Sequence, residues 1–66
     1  MKTYFIDFTI QLSNGSVVLS QTFSVTARNI DSATIFLRND LRFLSDNLST
    51  DLYVVYDLTK IYSDGK

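Results

Sequence analysis

The fold is decided by one stretch, Tyr4-Phe5-Ile6-Asp7-Phe8-Thr9-Ile10-Gln11-Leu12-Ser13-Asn14-Gly15-Ser16-Val17-Val18-Leu19-Ser20-Gln21-Thr22-Phe23-Ser24-Val25. Its even positions from Tyr4 to Leu12 are apolar, and its odd positions are polar apart from Phe5. A period of two is the pattern of a half-buried strand. Asn14-Gly15 then supplies the strongest short hairpin signal, a pair suited to the positive φ values of a two-residue type I′ turn. That turn pairs Leu12 with Val17, Ile10 with Leu19, Ile6 with Phe23 and Tyr4 with Val25. Both apolar sets then fall on one face, so the alternation and the turn agree on the register. Gln21 is the exception, opposite Phe8 on the apolar face.

Beyond the hairpin, Ile30, Ala33, Leu37, Leu41, Leu44 and Leu48 recur at steps of three and four, which predicts one face of a helix. Asn29 is the expected N-cap, with Thr26 as an earlier alternative, and Asp31 sits where the helix dipole favours a negative charge. The turn-forming residues of 45–51 end the helix near Asn47. At ~100° per residue, Phe36 and Phe43 share one shoulder of the apolar face and Ile35 lies nearly opposite it. Leu52–Leu58 alternates again and predicts a third strand, with Tyr53, Val55 and Asp57 on its outer side. Thr59–Tyr62 continues this strand or forms a short fourth one, and residues 63–66 fray.

The order ββαβ with a right-handed crossover places the third strand beside the first. The expected fold class is α+β: a two-layer ββαβ sandwich, antiparallel sheet order 2-1-3, with one helix on one face. At 66 residues the chain has room for a single domain spanning 1–66.

Composition removes most chemistry. The chain has six Lys and Arg, seven Asp, and no Glu, His, Cys, Trp or Pro. There is no thiolate, no Cys-ligated zinc and no imidazole base or metal ligand. Serines and threonines abound, but no His, Cys or Glu is present to activate them, and a lone Lys (Lys2, Lys60 or Lys66) would need burial to act as a base. The only glycines are Gly15 and Gly65, so no phosphate-binding loop exists. Asp7 and Asp57 are expected on the outer face of neighbouring strands, where they could share a proton or a cation. Without a pocket or a base they read as solvated carboxylates. No catalytic residue, cofactor or metal site is expected. Met1–Leu12 alternates and contains Asp7, unlike a signal-peptide core, and no apolar run approaches the ~20 residues of a membrane span.

What remains is binding. The outer sheet face carries Phe5, Val18, Tyr53 and Val55 with no second helix to cover them, and Ile35 is exposed on the helix. Clustered exposed aromatic and β-branched residues mark interfaces more often than isolated ones do. These five are the candidate partner contacts. Strands two and three are also sheet edges, open to a partner's strand or to a second copy in a homodimer. The alternative is single-stranded nucleic acid, stacked on Phe5 and Tyr53 with Arg28, Arg38 and Arg42 as phosphate contacts. Those arginines belong to the helix layer, however, and the net charge of −1 gives nucleic acid no long-range pull.

The hairpin Tyr4–Val25 with its Asn14-Gly15 turn, the helix start Ala27-Arg28-Asn29-Ile30-Asp31-Ser32-Ala33 and the closing strand Leu52–Leu58 resemble, in layout, the small ββαβ accessory and inhibitor proteins of bacteriophages. Anti-CRISPR proteins and phage antitoxins are of this kind. The resemblance is architectural and carries over no functional residue. It implies a stoichiometric binder that occludes a host or defence protein in the cytoplasm of the host cell. The weak acidity departs from the strongly acidic DNA mimics.

Overall fold

A computed structural model describes residues 1–64. The elements run β1 (Lys2–Leu12), β2 (Val17–Ala27), α1 (Ile30–Asp46), β3 (Leu52–Tyr56), a short 3-10 helix (Leu58–Lys60) and β4 (Tyr62–Ser63). The sheet is antiparallel in the order β2-β1-β3, and β4 also pairs with β1. β1 is therefore central. β2 takes one edge along its length, while β3 (Phe8 to Leu12) and β4 (Tyr4 and Phe5) share the other. This is the ββαβ sandwich that the alternation predicts, extended by the short β4.

The core follows the sequence pattern. Tyr4, Ile6, Phe8 and Ile10 of β1 are buried in one cluster with Ala33, Leu37 and Leu41 of α1, and Ala27 and Ile61 complete it. Fully burying a leucine or isoleucine contributes about 1.5–3 kcal/mol, and Ile6, Leu37 and Leu41 are all buried to this degree. Phe23 tilts against Phe8, with ring centroids 4.6 Å apart. Asn29 caps α1 as expected: its side chain accepts from the Ser32 N–H at 2.9 Å. At the other end the Asn47 side chain donates to the Phe43 carbonyl at 2.7 Å. Asparagine thus serves at both ends, by accepting at the first and donating at the second.

The turn corrects the expected register. The Leu12 N–H donates to Ser16 O, the Gly15 N–H donates to Leu12 O, and within the turn only Gly15 has positive φ, at 89°. A type I′ turn needs positive φ at Asn14 too. The loop instead has three residues, Ser13-Asn14-Gly15, with Gly15 in the left-handed region that lacks a penalty only for glycine. Leu12 therefore faces Ser16 rather than Val17, and Val17 pairs with Gln11. One extra residue, Val18, then restores the anticipated pairing from Ile10 with Leu19 onward. The bulge offsets the slip, so Ile6–Phe23, Tyr4–Val25 and Phe8–Gln21 stand as expected.

The third strand is shorter than predicted. It stops at Tyr56 because Asp57 turns the chain: its Oδ1 accepts from both the Thr59 N–H (2.9 Å) and the Thr59 hydroxyl (2.6 Å). Thr59–Tyr62 neither prolongs β3 nor forms one strand. It divides into the 3-10 helix, a buried Ile61 and the start of β4. Ser63, expected to fray, pairs with Tyr4. The same expectation for Gly65 and Lys66 lies outside the described residues.

Candidate functional site

The sheet face opposite α1 is built from the odd residues of β1 and their cross-strand neighbours. Phe5 lies beside Tyr62 and Ser24, Asp7 beside Thr22, Thr9 beside Val55 and Ser20, and Gln11 beside Tyr53 and Val17. Three zones follow along the strands.

The first zone is an aromatic pair. Phe5 is half-buried rather than free, because Tyr62 stacks on it with centroids 5.3 Å apart. The second zone is polar. Asp7 Oδ1 accepts from the Thr22 hydroxyl at 2.6 Å and from the Tyr62 hydroxyl at 3.2 Å. Tyr62 keeps its proton more tightly than usual, first because of partial desolvation and then because of the Asp7 charge and hydrogen bond. A shallow depression of about 310 Å³ lies here, lined chiefly by Asp7, Thr9, Ser20, Thr22 and Val55.

The paired-carboxylate expectation fails at this point. Asp57 is not on the face with Asp7, since it caps the 3-10 helix. Its carboxyl is held below the usual value by the Thr59 side chain, then the Thr59 backbone, with a smaller contribution from Lys60. Among the described residues no group of three or more His, Cys, Asp or Glu is placed to hold a metal ion.

The third zone is apolar and lies toward the hairpin turn. Val17, Val18, Tyr53 and Val55 are 57, 57, 52 and 46% exposed. The sequence pattern assigned Val17 to the core side. The bulge instead sets it opposite Gln11, in one cross-strand row with Tyr53. A one-residue slip moves a side chain to the other face, and here that slip adds a residue to the patch. The run Val17-Val18 is the one signal that could have marked it, because two β-branched residues in succession cannot both face the core of an alternating strand.

The structure thus keeps Tyr53 and Val55 on one face, leaves Val18 exposed in the bulge beside Val17, and separates the other two candidates from Tyr53 and Val55. Phe5 is six residues along β1 from Gln11, the row of Tyr53, which is ~20 Å at the usual rise. Ile35, half exposed, is on the helix layer. Arg38 and Arg42 lie one turn apart on the same helix, and Arg28 just before it, all exposed. The sheet stands between them and Tyr53. Phe36 and Phe43, on the shoulder of the helix's apolar face, are also exposed.

No helix among the described residues is long and apolar enough to cross a membrane. No family model, curated protein or solved structure matches the chain.

Proposed function

We propose that this chain is a non-enzymatic protein-binding module that presents the apolar end of its open sheet face to a protein partner. The observation that supports this is the set Val17, Tyr53 and Val55, half-exposed in neighbouring rows with the exposed bulge residue Val18 beside Val17, and with no layer over them among the described residues. Tyrosine at the centre of an apolar patch is a common interface anchor. Tyr53 offers both a ring and a hydroxyl for this purpose. Its layout suggests a stoichiometric inhibitor of the phage-encoded kind, acting in the host cytoplasm by occluding a host or defence protein.

Nucleic acid is less well supported. Successive bases on a stacking platform need rings at neighbouring positions, whereas Phe5 and Tyr53 are ~20 Å apart and Phe5 is already stacked on Tyr62.

The test is capture from host extract with immobilised wild-type chain, followed by the same capture with Tyr53→Ala/Val55→Ser. Both side chains are half exposed, so the variant keeps the wild-type circular dichroism. Loss of a partner that wild type retains supports the reading. Undiminished capture by the folded variant removes it. Binding of either form to a single-stranded oligonucleotide at 50 mM salt, lost steeply as salt rises, would favour nucleic acid instead.

A further inference from the structure

The free edge of β2 has features that the proposed binding face does not use. β2 is an edge strand of 11 residues. From Val17 to Ala27 it contains no charged residue and no proline. Natural edge strands are usually blunted by lysine, proline, bulges or a covering element. Here the bulge lies at Val18, next to the turn, and leaves Leu19–Ala27 regular.

The hydrogen-bond parity shows which backbone groups are open. Leu12 bonds to Ser16, and bonded positions alternate along an antiparallel ladder. The even residues of β1 therefore bond to Leu19, Gln21, Phe23, Val25 and Ala27. The N–H and C=O groups of Ser20, Thr22, Ser24 and Thr26 point away from the sheet.

The strand is also close to a palindrome. Around Thr22 it reads Leu19-Ser20-Gln21-Thr22-Phe23-Ser24-Val25. A twofold axis through Thr22 sets Thr22 against Thr22, Ser20 against Ser24, Gln21 against Phe23 and Leu19 against Val25. The Ser20 and Ser24 hydroxyls meet on the outer face, a favourable cross-strand combination, while each Thr22 hydroxyl keeps its donation to Asp7 of its own copy. On the inner face the 43% exposed Leu19 gains an apolar neighbour. Gln21, the misfit of the intramolecular hairpin, comes to lie beside Phe23 of the other copy. A twofold interface must be complementary to itself, and a strand without charges brings no like charge onto its own axis.

We infer that β2 is a homodimerisation edge, pairing antiparallel with β2 of a second copy in a register centred on Thr22. The occupant is a second copy rather than another protein because the order of Leu19–Val25 is nearly self-complementary about Thr22. The dimer joins two sheets into one. It leaves Tyr53 and Val55, on the far side of β1, outside the new strand pair and sets Val17 and Val18 opposite Ala27 and Thr26 of the other copy; the inference rests on the order of β2 alone and not on the proposed function.

Sedimentation of the whole chain over a concentration series tests this. Three forms are compared: wild type, Ser20→Lys/Ser24→Lys and Ser20→Lys/Ser24→Asp. Both positions are exposed on the outer face, and circular dichroism confirms that each form is folded. A single strand pair is a small interface, so wild type is expected to dimerise with a dissociation constant between about 1 μM and 1 mM. The Lys/Lys form opposes like charges twice across the axis and should weaken dimerisation at least tenfold. The Lys/Asp form places opposite charges in the same two pairs and should return it to near the wild-type value. Wild type that stays monomeric at about 1 mM overturns the inference, as does a Lys/Lys form that dimerises as well as wild type. A Lys/Asp form as weak as Lys/Lys overturns the Thr22-centred register.

Discussion

Phe5 and Tyr62 stack across the outer surface at 5.3 Å, with 24° between their planes. This contact fastens the two-residue β4 to the central strand. Aromatic pairs contribute about 0.5–1.5 kcal/mol beyond the area they bury. Phe5→Ala is therefore expected to lower stability by about 1–2 kcal/mol, measured by urea unfolding. The loss should shrink when Tyr62 is already alanine, because the stack is then absent. An undiminished loss in that background would show that Phe5 acts through β1 alone.

Gly15 has φ of 89° and open space where a Cβ would project. The cost of Gly15→Ala is thus conformational rather than steric. It should destabilise by about 1 kcal/mol. A value near zero in chemical denaturation would mean that the loop relaxes to a different turn.

Deletion of Val18 should be tolerated. Removing the bulged residue leaves Val17 opposite Gln11 and Leu19 opposite Ile10, with a regular ladder running from the three-residue loop. Deletion of Thr22 should not be tolerated, because every residue between it and the turn, or every residue after it, changes face. Amide–proton spectra report the difference: dispersed and close to wild type for the first deletion, collapsed or extensively shifted for the second.

Two exposed groups give the stability a pH signature. The Asp57 carboxyl is lowered from 3.8, chiefly by Thr59. Its stabilising effect is complete above the unfolded value and disappears as pH falls through the lowered folded one. Asp57→Ala should therefore be less stable than wild type at neutral pH, and the gap should close on acidification below 3.8. Tyr62 is raised from 10.0, first by desolvation. Its contribution is present below 10.0 and is lost as pH rises through the raised value. Wild type should thus lose stability relative to Tyr62→Phe in alkaline solution. Thermal melts across pH, wild type against each variant, check both signs.

The strand order, the helix with its Asn29 cap and the core residues could be read directly because each rests on a repeating pattern. Leu37 and Leu41 are specified by several neighbours in phase with them. The turn could not be read so well, since Asn14-Gly15 satisfies both a two-residue and a three-residue loop. The choice became visible only with the compensating bulge at Val18, and with it the true face of Val17. Asp57 was equally ambiguous, because an aspartate fits either an outward strand position or a cap. The decision lay in Thr59, two residues on, whose N–H and hydroxyl both donate to it. The candidate face was legible as a set of uncovered residues. Its division into an aromatic, a polar and an apolar zone depended on β4.

β4 also dictates an order of events during synthesis. Tyr4 pairs with Ser63 and Phe5 with Tyr62, separations of 59 (63 − 4) and 57 (62 − 5) residues. The hairpin is local and can close while the chain is still emerging from the ribosome. The N-terminal half of β1, however, stays unpaired on one side until Tyr62 and Ser63 have been made. Contacts of such long sequence separation slow folding and keep an open strand exposed meanwhile. For a nascent chain of this kind, the hazard lasts until Tyr62 and Ser63 have emerged and taken their places beside Phe5 and Tyr4.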